Sequence, residues 1–145
     1  MADIFVRSTD GDDADDGSTW ALAKATLAGA LAIATDADTI YVSDNHAETQ
    51  TGTMTLTCPS TPGLRILCVD DTGDPTNPTT LATTATADAT ASQSDINIQG
   101  FAYIYGITFG AGSGGAALIN LASSATGNLS DFSKNWSTKS CLTPP

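Results

Sequence analysis

Short runs of β-type residues, separated by turns, fill the chain after residue 38 and limit the possible folds more than any other feature. The stretches between these runs are rich in Gly, Pro, Asn and Asp, which end strands. β-branched residues dominate the runs, so the sequence predicts an all-β fold. The runs are TIYVS (39–43), TMTLTC (53–58), LRILCVD (64–70), TTLATTA (79–85), DINIQ (95–99), AYIYGITFG (102–110) and AALINLA (116–122).

One apolar residue can be chosen from each of four runs so that a loose repeat emerges. Ile40, Ile66, Ile96 and Leu118 follow one another at steps of 26, 30 and 22 residues. A period of about 20–30 residues is typical of a parallel β-helix, in which each coil stacks on the previous one. Seven short strands also fit an antiparallel β-sandwich, and this alternative stays open.

One segment has helical spacing: WALAKATLAGALAIA, residues 20–34. Ala and Leu dominate it, and Ser18 or Thr19 can cap its start. We therefore predict an α-helix over about residues 19–34. The segment has few polar residues, so we expect most of the helix surface to be covered.

The start of the chain, IFVRSTDGDDADDGSTWALAKATLAGALAIATDADTIYVS (4–43), resembles the start of right-handed parallel β-helix proteins of the pectate-lyase-like kind. Those proteins begin with a strand, an acidic turn ending in Gly-Ser/Thr-Trp, an Ala-rich capping helix and an Asp-Thr-Ile-Tyr-Val rung. Phage-encoded virion proteins of this kind are also similar at His-Ala-Glu-Thr, residues 46–49 here. The resemblance implies a short right-handed parallel β-helix with an N-terminal capping helix. Residues 1–132 would form this one domain, and residues 133–145 a C-terminal arm or tail.

Charge restricts the possible partners. Sixteen acidic residues against five basic ones give a net charge of −11, which disfavours binding to nucleic acid. No apolar run reaches the roughly 18–20 residues of a membrane span, and the N-terminus lacks the layout of a signal peptide. The sequence therefore predicts a chain made in a cytoplasm, with neither nucleic acid nor membrane as a partner.

A dense acidic turn is the candidate cation site. Carboxylate oxygens are the ligands that calcium prefers, but the EF-hand spacing fails. With Gly17 at the glycine position, Ala14 and Ala23 stand where ligands are required. The other interpretation is a solvated turn whose carboxylates favour the start of the following helix. The candidate ligands are Asp10, Asp12, Asp13, Asp15 and Asp16.

His46 is the only histidine, and Asp44 and Glu48 flank it at alternate positions. On an extended strand these three side chains would share one face. A metal site needs further ligands, and the chain has no second histidine to supply. We interpret the segment as a polar turn, in which His46 contacts a neighbouring coil or another subunit.

Aromatic residues supply the other interface candidates. Phe101, Tyr103 and Tyr105 alternate, which places them on one face. We expect a core or subunit contact there, and a sugar-stacking ladder is the alternative. Trp136, in the terminal stretch 133–145, would anchor an arm on a neighbour.

Catalytic chemistry has little support in the sequence. Glycoside hydrolysis needs two carboxylates facing one groove, and lyases of the resembled fold use Lys or Arg with calcium. Only Arg65 among the basic residues lies on a candidate rung. Cys58 and Cys68 lie in strand-like runs, so we predict that they are small buried hydrophobic residues and do not form a disulfide. We therefore expect no catalytic residues and no cofactor.

These observations and the resemblance together imply a function. The chain is expected to be a non-enzymatic bacteriophage virion protein that decorates or cements the capsid as a homotrimer. Its partners would be copies of itself and the major capsid protein of the same virion. The alternative is a tail-spike or fibre module that binds or cleaves host surface glycans.

Overall fold

The computed structural model describes residues 1–59, 63–72, 78 and 80–122. These residues are mostly strands, as predicted, with one α-helix, α1 (Leu27–Ile33), and one 3-10 helix (Trp20–Leu22). The strands are β1 (Asp3–Val6), β2 (Thr39–Ser43), β3 (Ala47–Gln50), β4 (Met54–Thr57), β5 (Leu64–Val69), β6 (Ala85–Ala89), β7 (Ile96–Gln99), β8 (Ala102–Tyr105), β9 (Ile107–Gly110) and β10 (Ile119–Ala122).

Every pairing between two of these strands is parallel. The first sheet has the order β1-β2-β5-β8, the second β3-β6-β9 and the third β4-β7-β10. The chain visits these sheets in a fixed rotation, since β2, β3 and β4 belong to the first, second and third sheets, and the next six strands repeat that order twice. The described strands therefore do not form the antiparallel β-sandwich that the sequence left open.

The predicted repeat is correct for one step only. Ile40 and Ile66 are register partners in β2 and β5, so the 26-residue step is confirmed. The later steps are wrong, because Ile66 pairs with Ile104 in the first sheet. Ile96 lies in the third sheet and pairs with Ile119, one residue past the predicted position. Connections of unequal length between the sheets prevent any single period from holding.

Strand boundaries differ from the prediction in the second sheet. Of the described residues in the run predicted over 79–85, only Ala85 lies in a strand, as the first residue of β6. Buried alanines alternate there with half-buried Thr86 and Asp88, a pattern with little hydrophobic signal. β3 was not predicted for the same reason. The run 102–110 is two strands, because Gly106 turns the chain at a φ of 79°.

An isoleucine ladder forms the core of the first sheet. Ile4, Ile40, Ile66 and Ile104 occupy one register position on four successive strands. The first three are buried, and Ile104, on the last strand, is half-buried. Each fully buried side chain of this size contributes about 1.5–3 kcal/mol relative to an exposed one.

A second ladder lies on the opposite, outer face of the first sheet. Trp20 packs edge-on against Phe5 with ring centroids 4.9 Å apart, so the 3-10 helix covers the β1 end of this ladder. Coverage decreases toward β8, where the side chain is exposed. The outer ladder consists of Phe5, Tyr41, Leu67 and Tyr105.

The N-terminal helical region is shorter than the predicted span of about 19–34. Between the 3-10 helix and α1, Lys24 forms a parallel bridge to Val6. Thr26 is extended and caps α1, its side chain accepting the N–H of Gly29. Pairing with β1 therefore interrupts a segment whose Ala and Leu content alone favours one continuous helix.

One face of α1 covers the end of the three sheets at which their first strands lie. Leu27, Ala30 and Leu31 are buried on that face, and α1 contacts β1 and β4. Ile33 remains exposed at the end of α1. The expectation that the helix is covered thus holds for one face only.

The two described cysteines behave as predicted. Cys58 and Cys68 are free and buried. Burial raises the pKa of the Cys58 thiol to about 11, which keeps it protonated at neutral pH. Trp136 and the predicted arm 133–145 lie outside the described residues. Among the helices of the described part, none is long and apolar enough to cross a membrane.

Asp38 fastens the N-terminus to the turn before β2. Its buried carboxylate accepts hydrogen bonds from the N–H of Ala2 and from the N–H and hydroxyl of Thr35. These bonds, that from Ala2 first, hold the pKa of Asp38 below its ordinary value.

We expect Asp38 to make stability depend on pH in the acid range. Its pKa is lower in the folded than in the unfolded chain, where it is about 3.9. The stabilisation is therefore complete above the unfolded value and is lost as the pH falls through the folded one. In urea unfolding between roughly pH 2 and 6, the free energy of unfolding should fall less on acidification in Asp38→Asn than in wild type. Asp3→Asn, at an exposed position, is the control, and parallel curves for Asp38→Asn and wild type would contradict the prediction.

Candidate functional site

The acidic turn, residues 9–19, is held by hydrogen bonds to its own carboxylates. Asp12 Oδ1 accepts the N–H of Ala14 and Asp16 Oδ1 accepts the N–H of Ser18, each at 2.9 Å. The hydroxyl and N–H of Ser18 lower the pKa of Asp16. Both aspartates thus stabilise the local turn by bonding a backbone group two residues on.

Asp13 joins the acidic turn to the start of α1. Its Oδ1 accepts the N–H groups of Ala25 and Thr26 at 2.9 and 3.0 Å, and its Oδ2 accepts the Thr26 hydroxyl at 2.7 Å. A Cβ added at Gly29 would overlap this carboxylate. The position of α1 therefore depends on a close fit between the turn and the helix.

Replacing Asp13 tests this structural role. Asp13→Ala should lower the free energy of unfolding by about 1–2 kcal/mol, because two N–H groups lose their acceptor. Asp15→Ala, in the same turn, is the matched control and should change stability little. Urea denaturation measures both. Equal losses would contradict the assignment, and a calcium-dependent rise in melting temperature that both variants abolish would favour the cation site.

Arg7 links the acidic turn to the end of β5. Its Nη2 donates to Asp10 Oδ2 at 2.8 Å, and its Nη1 lies 3.6 Å from Asp71 Oδ2. The guanidinium also stands 5.8 Å from the centroid of the Trp20 ring and donates to the Trp20 carbonyl. One cation therefore offsets two carboxylates and packs on the 3-10 helix.

Three carboxylates lie together after β2 and β5. One oxygen from each of Asp44, Asp70 and Asp71 lies within 4.8 Å of the other two. The parallel register of β2 and β5 brings them together. The 26-residue step that relates Ile40 to Ile66 also relates Asp44 to Asp70, so this proximity could have been predicted.

Hydrogen-bond donors already engage this carboxylate cluster. Ser43 Oγ donates to Asp71 Oδ2 at 2.7 Å. The hydroxyl and N–H of Thr72 donate to Asp70 Oδ1, and these two bonds lower the pKa of Asp70. Calcium takes about 6–8 oxygen ligands. The hydrogen bonds to Asp70 and Asp71 stabilise the ends of β2 and β5 locally.

His46 and Glu48 form a buried polar pair beside α1. They are 1% and 6% exposed, and His46 Nε2 lies 3.3 Å from Glu48 Oε2. The same oxygen accepts the N–H of Leu27 at 2.9 Å. Leu27 is the first residue of α1, so Glu48 satisfies a helix N–H that has no partner within the helix.

This pair corrects two expectations. Asp44 does not share a face with His46 and Glu48, because a turn at Asp44 and Asn45 precedes β3. The His46 ring is buried and so is not placed to contact another subunit. The ring lies in the interior between the three sheets, and its Nδ1 has no hydrogen-bond partner among the described residues.

The aromatic row, Phe101, Tyr103 and Tyr105, lies along β8 and the residue before it. These side chains are 47%, 59% and 36% exposed, so the prediction of a shared face is confirmed. They lie outside the buried core clusters of the described residues. We expected the row to form either a core contact or a subunit contact, and its exposure rules out the core.

A groove of about 510 Å³ adjoins the aromatic row. Met1, Asp38 and Arg65 line it together with Phe101 and Tyr103. The Asp38 carboxylate is engaged by backbone N–H groups, and Arg65 donates to a threonine hydroxyl of β2 at 2.9 Å. The groove places the Phe101 and Tyr103 side chains beside Arg65. Its polar groups are already part of the fold.

Comparison of the chain with protein families, with curated proteins and with solved structures found no match. The sequence pattern and the geometry above are therefore what supports a function.

Proposed function

We propose that this chain is a structural protein of a bacteriophage virion, built as a short right-handed parallel β-helix. The observation that carries the proposal is the rotation of the chain through three parallel sheets, with α1 over one end. The similarity of residues 4–43 to β-helix openings implies this order of strand, acidic turn, capping helix and first rung. The order of the sheets and the sequence resemblance support the same architecture.

The role we propose is that of a capsid decoration or cement protein, acting as a homotrimer without catalysis. The three described Lys and Arg side chains are all engaged within the chain: Arg7 with Asp10, Arg65 with Thr39, and buried Lys24 with the Asp13 carbonyl. Exposed aspartates of the acidic turn remain. An acidic surface of this kind favours basic patches on a shell of major capsid protein.

Such a protein would work by mass action. Binding that requires the assembled shell stabilises the shell over its separated subunits. Three linked copies raise the effective concentration at each further contact, so modest single contacts suffice. The polar groups described above serve the fold, which supports a binding role rather than a reaction.

A second candidate function is favoured by the groove beside the aromatic row. Exposed aromatic faces next to Arg65 suit a sugar, as in a tail-spike or fibre module that binds or cleaves host glycans. The two functions differ in the partner, the capsid in one case and the host cell surface in the other.

Co-sedimentation distinguishes the two functions. The purified protein is mixed with phage capsids that lack it and, separately, with intact host cells. The decoration role predicts saturable binding to capsids and a higher temperature of capsid rupture, both unchanged in Arg65→Ala. The glycan role predicts binding to cells that Arg65→Ala weakens. Binding to neither target would contradict both functions.

A further inference from the structure

Charge is distributed unevenly along the chain. Residues 96–122, from β7 to β10, contain no Asp, Glu, Lys, Arg or His in a protein of net charge −11. The acidic turn and the carboxylate cluster belong to the earlier part of the fold. The stack is therefore acidic where α1 closes it and uncharged where its last described strands lie.

Among the described residues, the interior between the three sheets is open at this uncharged end. β8, β9 and β10 are the outermost strands of their sheets in the described part of the chain. Ile104, Ile107 and Phe109 point toward the core yet are only partly buried, whereas Ile66 on the preceding strand of the first sheet is fully buried. The final strands thus expose apolar surface that earlier strands bury.

Exposed apolar side chains concentrate at the same end. Leu118, just before β10, and Ile119, its first residue, are 57% and 44% exposed and add to the aromatic row. Together with β8, β9 and β10 these residues define the charge-free end. Proteins commonly protect edge strands with charged side chains, and β8, β9 and β10 carry none. The charges beside them belong to earlier residues: Arg65 is the register partner of Tyr103, and Asp95 accepts the N–H of Leu118. Aromatic anchors in an uncharged patch are typical of the centre of a protein interface.

We propose that a second copy of this chain binds at the charge-free end. Two molecules of charge −11 repel each other over most of their surfaces. Close approach costs least where charge is sparsest, so self-association is directed to this end. The inference rests on the proposed function, because it gives the proposed homotrimer its contact surface.

Sedimentation velocity of the full chain tests the inference over roughly 1–100 µM, the range in which moderate affinities show. Wild type should associate as the concentration rises. Tyr105→Glu, opposite the uncharged Leu67, places a like charge in the contact and should weaken association by about 30-fold or more. Leu22→Glu is the matched control, since it alters an exposed apolar residue by the same charge near the acidic turn. It should associate as wild type does.

Circular dichroism melting of each variant confirms that it is folded, and Ile119→Glu provides a second substitution at the same end. A wild type that remains monomeric throughout, as when residues 123–145 of the same chain cover this end, would overturn the inference. So would a folded Tyr105→Glu that associates normally. Capsid binding is measured in parallel. A monomer that binds capsids overturns this inference and the homotrimer but leaves the decoration role. An oligomer that does not bind them overturns the decoration role alone.

Discussion

Replacing Gly106 by alanine is expected to lower the free energy of unfolding by about 4 kcal/mol. Gly106 connects β8 to β9 with a φ of 79°, which an L-residue adopts at a cost. Its added Cβ would also overlap the carbonyl oxygen of Ala82 and lie 2.7 Å from the Cβ of buried Cys68. Neither group can move freely, so backbone strain and overpacking act together. Urea denaturation of Gly106→Ala measures the loss.

Two other glycines separate these contributions. Gly52 has a φ of 99° but nothing within 4 Å of an added Cβ, so Gly52→Ala should cost about 1–2 kcal/mol from strain alone. Gly115 has open space and no positive φ, so Gly115→Ala should change stability by less than about 0.5 kcal/mol. Equal losses for Gly106→Ala and Gly52→Ala would show that the close approach at this corner is absent.

Removing the Glu48 carboxylate should destabilise the protein by about 3 kcal/mol. Glu48→Ala leaves the Leu27 N–H and His46 Nε2 without their described partner in a buried site. Glu48→Gln keeps an acceptor for Leu27 and should cost about 1 kcal/mol. Asp88→Ala, on the adjacent strand β6 and half-buried, is the control and should stay within about 0.5 kcal/mol of wild type.

Hydrogen exchange shows whether Glu48 acts through α1. The Leu27 amide should exchange faster in Glu48→Ala by more than global destabilisation explains, because its acceptor is gone. A double-mutant cycle with His46→Ala should give losses that do not add, since both changes disrupt one pair. Fully additive losses, together with unchanged Leu27 exchange, would contradict a shared pair under α1.

The sequence could predict those features that local chemistry determines. β-branched runs predicted β2 and β5 closely, and the 26-residue spacing between Ile40 and Ile66 predicted their pairing. The later steps failed because connections between sheets differ in length: three residues separate β2 from β3, whereas 15 separate β5 from β6. A period read from apolar residues cannot account for insertions at corners. The helix was predicted too long because pairing with β1 overrides the helix propensity of Ala and Leu.

The sequence likewise predicts the role of some polar groups and not of others. The turn-forming role of the acidic segment followed from composition, since Asp bonds neighbouring N–H groups. The burial of His46 and Glu48 did not, because it depends on the small interior residues of a distant strand. Ala87 is the register partner of Glu48 on β6, and only the three-dimensional pairing reveals the space that it leaves.

Parallel pairing between successive strands of each sheet also has a consequence for the order of folding. Register partners such as Ile40 and Ile66 are 26 residues apart, and Ile66 and Ile104 are farther apart still. Non-local contacts of this kind slow folding, because loop entropy is lost before the contacts form. β5 needs β2 as its template, and β8 needs β5. During synthesis from the N-terminus, we expect α1 and the first strands to nucleate growth that then proceeds one strand at a time toward the C-terminus.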